Sequence, residues 1–366
     1  MPTKVLIRCD AAPAIGFGHV VRCLALADEL RDSHGCQVDF AMLQGPQGVA
    51  RVQDQGYVVY QPPDGAEALD EGSWAKELIS KYQHQVLILD VRTDLATEAV
   101  QSIRETGVVI ATIDDPSHRR LHADLAFYPP VPQVERLDWN GFTGTRFVGW
   151  DWILLRRQFA EAATQARAVV GELQAECPKI DSRPTILVTM GGSDPAGLTL
   201  MALQAIDKLD GDFRVLVVIG YGFMHDAELT DWLTKAKRTY EICRDVTDMA
   251  SVMAEADLAV ASFGVTAYEF AVMGLPAIYL CLTHDHEESA QLFEKSEIAI
   301  NAGQYEKISV EKMGDILKKL LMNHEQRFSY GNRAKQLIDG YGTNRIAAMI
   351  MNEVSSSSHS IEILAR

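Results

Sequence analysis

The sequence predicts an α/β protein made of two halves, each a parallel β-sheet covered by helices on both faces. Short, continuously apolar segments alternate with segments whose apolar residues recur at helical spacing, a pattern typical of buried parallel strands joined by helices. The alternation stops at a Pro- and Ser-containing stretch, residues 177–184, and then starts again. We therefore predict an N-terminal domain over residues 1–176, a C-terminal domain over residues 177–354 and a loose polar tail over residues 355–366.

The predicted elements follow one another in regular order. In the first half, strands are expected at residues 5–9, 38–43, 58–60, 86–89 and 108–113. One helix is expected to follow the first strand and end near residue 30, and three more are expected at residues 74–82, 96–106 and 150–174. In the second half, strands are expected at residues 185–190, 213–219, 258–262, 276–280 and 298–300, and helices at residues 310–322 and 326–351.

Composition limits the class of protein and its partners. The chain has 366 residues, of which 47% are hydrophobic and 23% charged, as in soluble globular proteins of two domains. A net charge of -16 argues against a nucleic-acid binder and against stable association with an anionic membrane. The six cysteines are scattered without a C-x-x-C pair, as in reducing compartments. With no signal peptide or membrane-spanning segment recognised, we expect a cytoplasmic protein.

The turn Gly16-Phe17-Gly18-His19 lies between the first predicted strand and its helix. Glycine allows a tight turn and a close approach to a ligand, and the N-terminus of a helix offers free N–H groups. Histidine titrates near neutral pH and therefore can act as a base, although a helix-capping or core role is the alternative. In α/β sheets, ligands collect beyond the ends of the strands, so both roles stay open for His19.

Carboxylates follow several predicted strands of the first half. Asp10, Asp90 and the pair Asp114-Asp115 each lie at or just beyond the end of such a strand. Because the carboxyl ends of parallel strands share one edge, these groups and His19 are expected to face a common cleft. The alternative for each one is a turn or N-cap role, for which Asp is well suited.

Two turns of the second half are candidates for nucleotide binding. Gly191-Gly192-Ser193 and Ser262-Phe263-Gly264-Val265-Thr266 each follow a predicted strand, and the second opens the helix that carries Glu269. A helix N-terminus preceded by Ser and Gly suits a diphosphate, and a carboxylate one turn further suits ribose hydroxyls. The alternatives are glycines needed only for the turn and a solvated Glu269.

A cluster of histidines and acids occupies residues 284–288, His-Asp-His-Glu-Glu. A His-x-His sequence with nearby acids can bind zinc. No further Cys or His pair completes a recognisable set, so we expect no metal here and a role in capping the following helix or lining the site.

Taken together, these motifs resemble the UDP-sugar hydrolases of pseudaminic acid biosynthesis and their relatives in spore-coat polysaccharide synthesis. Those proteins are similar in turn to the N-acetylglucosaminyltransferase that makes lipid II. The resemblance runs from about residue 5 to residue 350. It rests on Arg8-x-Asp10, Ile15-Gly16-Phe17-Gly18-His19-Val20-x-Arg22-Cys23-Leu24, Asp114-Asp115, Leu154-Leu155-Arg156 with Phe159, Met190-Gly191-Gly192-Ser193-Asp194, Ala261-x-x-Gly264-x-Thr266-x-Tyr268-Glu269, and Asp339-Gly340-x-Gly342 with Arg345.

The resemblance implies a GT-B fold, in which two Rossmann-like doubly wound domains flank a cleft. It implies that His19 activates water for attack on the anomeric carbon, that Glu269 contacts the ribose of UDP, and that the diphosphate lies against Gly264-Val265-Thr266. It implies no metal and no cofactor. The expected activity is hydrolysis of a UDP-activated amino-deoxy sugar in nonulosonic acid or surface polysaccharide biosynthesis. A glycosyltransferase and a catalytically silent nucleotide-sugar-binding protein are the alternatives.

The expected site residues fall into three groups. The catalytic group is His19, with Asp10 or Asp90 orienting it or binding the sugar. The nucleotide group is Gly191, Gly192, Ser193, Ser262, Gly264, Val265, Thr266 and Glu269, and the substrate group is Gly16, Phe17, Gly18, Arg22, Asp115 and His286. The chain departs from the hydrolases at Asp90-Val91-Arg92, where they carry Asp, His or Ser, and Tyr, and at residues 283–287, where they show Asn-Gln. The identity of the sugar is therefore left open.

Overall fold

The structure, a computed structural model, describes residues 2–11, 16–43, 45–62, 69–93, 95–172, 183–244 and 246–364. The strands in these residues are β1 (Lys4–Cys9), β2 (Gln37–Ala41), β3 (Val58–Tyr60), β4 (Val86–Asp90), β5 (Val109–Ile113), β6 (Leu125–Tyr128), β7 (Thr145–Val148), β8 (Thr185–Thr189), β9 (Arg214–Ile219), β10 (Glu241–Arg244), β11 (Leu258–Ser262), β12 (Ala277–Cys281) and β13 (Ala299–Gln304).

The α-helices of the same residues alternate with these strands. They are α1 (Gly18–His34), α2 (Pro46–Asp54), α3 (Glu71–Tyr82), α4 (Thr97–Arg104), α5 (Arg157–Glu172), α6 (Leu198–Asp207), α7 (Asp226–Leu233), α8 (Met249–Glu255), α9 (Val265–Met273), α10 (His284–Lys295), α11 (Val310–Met322), α12 (His324–Leu337) and α13 (Gly342–Leu364).

The first compact unit consists of Met1–Arg156 and Tyr341–Arg366. Its seven strands are all parallel, in the order β3-β2-β1-β4-β5-β6-β7. Strands β6 and β7 were not predicted from the sequence. Each has only four residues, and the segment between them is irregular apart from a short 3-10 turn, so the alternation of apolar strand and amphipathic helix is lost there.

The apolar strands of this unit are explained by burial on both faces of the sheet. Along β1, Val5 and Ile7 pack in one cluster with residues of α1 and α13. Leu6, between them, points to the opposite cluster, which contains residues of α3 and α4. Because neighbouring residues of a strand face opposite sides, a strand buried on both sides is apolar at nearly all of its interior positions. The exception in β1 is Arg8, which is fully buried and forms an ion pair with Asp10.

The C-terminal region differs from the prediction in two ways. Residues 326–351, expected to be one helix, form α12 and α13, which are separated at Gly340, where φ is +89°. The expected loose tail, residues 355–364, instead extends α13, and the Ser355 and Ser356 hydroxyls donate to the carbonyls of Met351 and Asn352. The buried side chains of α13 join the core of the first unit.

The second compact unit is Arg157–Gly340. Its six strands are all parallel, in the order β10-β9-β8-β11-β12-β13, around a core that includes residues of α6 and α11. The predicted domain boundary at residues 176/177 and most of the predicted linker fall in residues 173–182, outside the described part of the chain. The helix before that gap, α5, belongs to the second unit. The sequence-based prediction had placed this helix in the N-terminal domain.

Both sheets are doubly wound, and each has one point where the strand order reverses. In the first unit the reversal lies between β1 and β4, and in the second between β8 and β11. Open parallel sheets bind their ligands beyond the carboxyl ends of the strands at such a point. Within the described residues, no helix is long and apolar enough to cross a membrane.

Candidate active site

His19 lies at the reversal point of the first sheet, at the second position of α1. Asp90, the last residue of β4, is opposite Cys9 of β1 and is fully buried. The Nδ1 atom of His19 is 2.7 Å from Oδ1 of Asp90. The turn that delivers His19 begins at Gly16, whose φ is +76°, a conformation that glycine adopts without strain.

Arg22 holds Asp90 from the next turn of α1. Its Nε donates to Oδ2 of Asp90 at 2.6 Å and its Nη2 donates to Oδ1 at 2.5 Å, a two-point ion pair. The Cys23 thiol donates to the same Oδ2 at 3.4 Å, and burial raises its pKa, so that it stays protonated. Burial opposes ionisation of Asp90, but the Arg22 guanidinium and the hydrogen bonds from Arg22 and His19 hold its pKa well below the usual range.

This arrangement determines which nitrogen of His19 is available for chemistry. Nδ1 of His19 is 2.7 Å from the ionised Asp90, which only accepts, and 3.2 Å from Nη2 of Arg22, which only donates. The shorter contact, to a charged acceptor, favours the tautomer in which Nδ1 carries the proton and donates it to Asp90. The lone pair is then on Nε2, and among the described residues no protein group hydrogen-bonds to Nε2. With its side chain 15% exposed, His19 is held as a base that solvent can reach.

A second ion pair adjoins this group. Asp114, which directly follows β5, accepts from Nη2 of Arg92 at 3.0 Å through Oδ2, and the same oxygen is 3.6 Å from Nη1 of Arg22. Arg22 therefore lies between Asp90 and Asp114, and both carboxylates raise its pKa although burial acts in the opposite direction. Cys23 and Arg92 were given no site role from the sequence, because nothing local marks them. Asp114 was expected, with Asp115, to face the same cleft as His19.

Two of the predicted site carboxylates have internal roles. The Asp10 carboxylate forms an ion pair with the fully buried Arg8 at 2.6 Å and accepts from the backbone N–H of Leu43 at 2.7 Å. Asp115 is 1% exposed and accepts from the Ser117 N–H at 2.8 Å and from Nε of Arg119 at 3.1 Å. These contacts tie loops together, which argues against catalysis by Asp10 and against substrate contact by Asp115.

The two predicted turns of the second unit differ at the helix that each one opens. After β8, Asp194 accepts from the N–H groups of Leu198 and Thr199 at 2.8 and 2.9 Å, and so occupies the N-terminus of α6. After β11, α9 begins behind Gly264 with no side-chain cap, and a Cβ built on Gly264 meets nothing within 4 Å. The N–H groups that suit a diphosphate are therefore those of α9.

The Gly191 turn nevertheless borders the same edge of the second sheet. Gly191 has φ +77°, and a Cβ built on it would lie 4.0 Å from Oγ of Ser262. A Cβ on Gly220, which follows β9, would lie 2.5 Å from the Gly191 carbonyl oxygen, so the two loops touch backbone to backbone. The predicted residues Ser193 and Glu269 are 5% and 4% exposed, and little of either is open to solvent.

The remaining predicted residues are at helix starts. Phe17 is the N-cap residue of α1, Gly18 is its first residue, and the Phe17 ring is largely buried. In α10, the His286 N–H donates to the Thr283 hydroxyl, which caps the helix, and burial lowers the pKa of His286. The His284 side chain is 71% exposed. Among the described residues, no group of three or more His, Cys, Asp or Glu is arranged to hold a metal ion.

The relatives found by comparison with known sequences include these three. The chain is 23% identical over 350 residues to the spore coat polysaccharide biosynthesis protein SpsG of Bacillus subtilis, covering 94% of this chain and 97% of that protein. It is 27% identical over 209 residues to the UDP-2,4-diacetamido-2,4,6-trideoxy-beta-L-altropyranose hydrolase of Campylobacter jejuni, 56% of this chain and 66% of that one. An uncharacterized protein of Methanocaldococcus jannaschii is 27% identical over 286 residues, which are 76% of this chain. This match spans about half, 55%, of the length of the Methanocaldococcus protein.

Comparison of domains and folds extends these matches. The family model for the glycosyltransferase family 28 C-terminal domain matches residues 185–341. The crystal structure of Acinetobacter baumannii MurG superposes with a TM-score of 0.70 at 18% identity, covering 96% of this chain and all of that one. The chain therefore has the GT-B fold of two Rossmann-like domains, matches the glycosyltransferase family 28 C-terminal domain over residues 185–341, and is a homologue of the altropyranose hydrolase and of the spore coat protein.

Proposed function

We propose that this protein hydrolyses a UDP-activated amino-deoxy sugar at the anomeric carbon and releases UDP and the free sugar. The observation that carries the proposal is the His19–Asp90 pair, in which a buried, ionised carboxylate holds Nδ1 at 2.7 Å and the imidazole side chain remains 15% exposed. A base so oriented is suited to activating water, because Asp90 stabilises the imidazolium that forms.

In the proposed reaction, Nε2 of His19 takes a proton from water as the water oxygen bonds to the anomeric carbon. The bond from that carbon to the phosphate oxygen breaks, and UDP leaves with the electron pair. The uncapped N-terminus of α9 supports stabilisation of the departing diphosphate, since its N–H groups are oriented before the reaction begins. Glu269, four residues into α9, is assigned to the ribose hydroxyls.

Transfer of the sugar to an acceptor is the second candidate, because the same base can deprotonate a hydroxyl group instead of water. The match to a glycosyltransferase family 28 C-terminal domain and the likeness to MurG favour it. The first candidate is favoured by the hydrolase activity for which the Campylobacter relative is named. The wider setting, surface polysaccharide or nonulosonic acid synthesis, is proposed from that relative and from the Bacillus protein.

One experiment separates these candidates from each other and from simple binding. The purified protein is incubated with a panel of UDP-sugars in ¹⁸O-water without an acceptor. We expect UDP release from the right sugar at about 1 s⁻¹ or faster, with the label in the free sugar. Label in UDP means attack at phosphorus, and turnover only after an acceptor is added assigns a transferase. Binding of UDP with no turnover in either case assigns a binding protein.

A further inference from the structure

We propose that Asp114 and Arg92 form the surface that recognises ring hydroxyls of the sugar. The inference rests on the proposed function and names the side chains that distinguish one UDP-sugar from another. The two residues follow the adjacent strands β5 and β4, at the same edge of the sheet as His19. Through Oδ2 of Asp114, which is 3.6 Å from Nη1 of Arg22, they adjoin the residue that holds the His19–Asp90 pair.

Exposure separates Asp114 from the other carboxylates of this edge. The side chains of Asp90, Asp115 and Asp10 are 0%, 1% and 5% exposed, and each is engaged by buried partners. The side chain of Asp114 is 27% exposed and that of its partner Arg92 is 35% exposed. Of the four carboxylates, Asp114 is therefore the one that a ligand can reach beside the base.

The pair is held in place before a ligand arrives. The φ of Asp114 is +51°, in the left-handed region that few residues other than Gly, Asn and Asp adopt. Its N–H donates to the Phe127 carbonyl at 2.8 Å, and Nη1 of Arg92 donates to the Asp114 carbonyl at 2.8 Å. Backbone and side chain are thus both fixed, as recognition at low entropic cost requires.

The chemistry of the exposed atoms indicates the ligand group. Among the described residues, no donor is assigned to Oδ1 of Asp114 and no acceptor to Nε of Arg92. A hydroxyl group both donates and accepts, so adjacent ring hydroxyls match an acceptor and a donor placed side by side. An anionic substituent is repelled by Asp114, and a deoxy or methyl position leaves both charged groups without a ligand partner.

A binding experiment tests the assignment without requiring turnover. All proteins in this titration, including the reference called the wild type, carry His19→Asn so that no sugar nucleotide is hydrolysed. Calorimetry then gives the Kd of UDP and of UDP-glucose, UDP-galactose, UDP-N-acetylglucosamine and UDP-N-acetylgalactosamine, and the ratio Kd(UDP)/Kd(UDP-sugar) measures how much the sugar contributes to affinity. The variants are Asp114→Asn, which tolerates the left-handed backbone, and Arg92→Ala. The control is Arg104→Ala. The Arg104 side chain is 32% exposed and forms a similar ion pair with Asp124. Asp124 precedes β6, at the opposite edge of the sheet.

We expect the wild-type ratio to exceed 10 for at least one panel member and to fall to about 1 in both variants. A lost hydrogen bond to a charged group accounts for about 10- to 150-fold in affinity. The Kd of UDP alone stays within about twofold, and Arg104→Ala behaves as the wild type. A ratio unchanged in both variants, or near 1 for every sugar in the wild type, overturns the assignment. Failure of the wild type to bind UDP at all overturns the proposed function, and this inference with it.

Discussion

In the first unit, the reversal of strand order is lined by charged side chains, whereas in the second it is lined by glycines and a helix N-terminus. His19 and Arg22 project from α1 onto Asp90 of β4. The corresponding position between β8 and β11 has Gly191 near Ser262 and the uncapped start of α9. The same strand order thus positions charged side chains in one unit and an uncapped helix N-terminus in the other. For this reason we propose proton transfer at the first edge and anion binding at the second.

A local difference after the first strand of each unit explains the contrast. After β8, the Asp194 carboxylate accepts from the N–H groups of Leu198 and Thr199 at the N-terminus of α6, so these two N–H groups are already engaged. After β1, Gly18 and His19 begin α1 with no side-chain cap, and the imidazole is directed to the neighbouring strand. The few residues that follow each strand, more than the sheet itself, determine what the edge can bind.

The largest effect should come from the base in the first unit. Substituting His19 by Ala or Asn is expected to lower kcat by about 10²- to 10⁴-fold, because proton transfer from water loses its acceptor. The Kd of UDP should not change, since the nucleotide is assigned to the second unit. Steady-state kinetics and calorimetry measure the two quantities. His34→Ala, at the other end of α1, is the control, and wild-type turnover in the His19 variants would make His19 a structural residue.

The second largest effect should be on the affinity for UDP, through a residue of the second unit. Replacing Glu269 with Ala or Gln is expected to weaken UDP binding by about 1.5–3 kcal/mol, the range for hydrogen bonds to a charged group. Calorimetry with UDP measures it, and a thermal melt of each variant checks the fold. The exposed Glu228 of α7 gives a matched Glu→Ala control. An unchanged Kd removes Glu269 from the nucleotide site.

A smaller effect is expected where α9 begins. Gly264 has an extended backbone, with φ 176°, and a Cβ there meets nothing, so Gly264→Ala should leave Tm unchanged. A methyl group in the path of the diphosphate should nevertheless weaken UDP about tenfold, or about 1.4 kcal/mol. Gly220→Ala is the contrasting variant, because its Cβ clashes with the Gly191 turn and should lower Tm. Full UDP affinity in Gly264→Ala would place the diphosphate elsewhere.

The smallest effect concerns acid stability in the first unit. The pKa of Asp90 is depressed on folding, so the unfolded chain binds more protons as pH falls below about 4, the ordinary aspartate pKa. The stability that ionised Asp90 contributes is therefore present above that pH and is lost progressively below it. Denaturant unfolding between pH 5 and 3 should show a pH slope smaller in Asp90→Asn than in the wild type, by up to about 1.4 kcal/mol per pH unit. Equal slopes would mean that Arg22 and His19 do not lower the pKa of Asp90.

Segments with local signals were predicted well. The strands β4, β5, β11 and β12 and the helix α11 lie within a residue or two of the predictions, because each is a continuous apolar or periodic segment. The break at Gly340 was missed because one glycine does not interrupt the apolar periodicity on either side of it. The N-terminal segment of the first unit ends at Arg156 and the chain returns to that unit at Tyr341. Helix α5 belongs to the second unit, and no composition signal marks this assignment.

The amino-acid sequence by itself determined the two α/β halves and the position of His19 behind a glycine turn, because these depend on neighbouring residues. Only the tertiary structure selected Asp90, and not Asp10, as the partner of His19. His19 and Asp90 are 71 positions apart in sequence, and Arg22 and Asp90 are 68 positions apart. Such contacts exist because β1 and β4 are adjacent in the sheet, and strand order depends on the packing of the whole unit. The same reason applies to Asp115 and Asp194. Nothing in the sequence shows that their carboxylates are unavailable to a ligand, but in the structure both are buried and accept hydrogen bonds from backbone N–H groups.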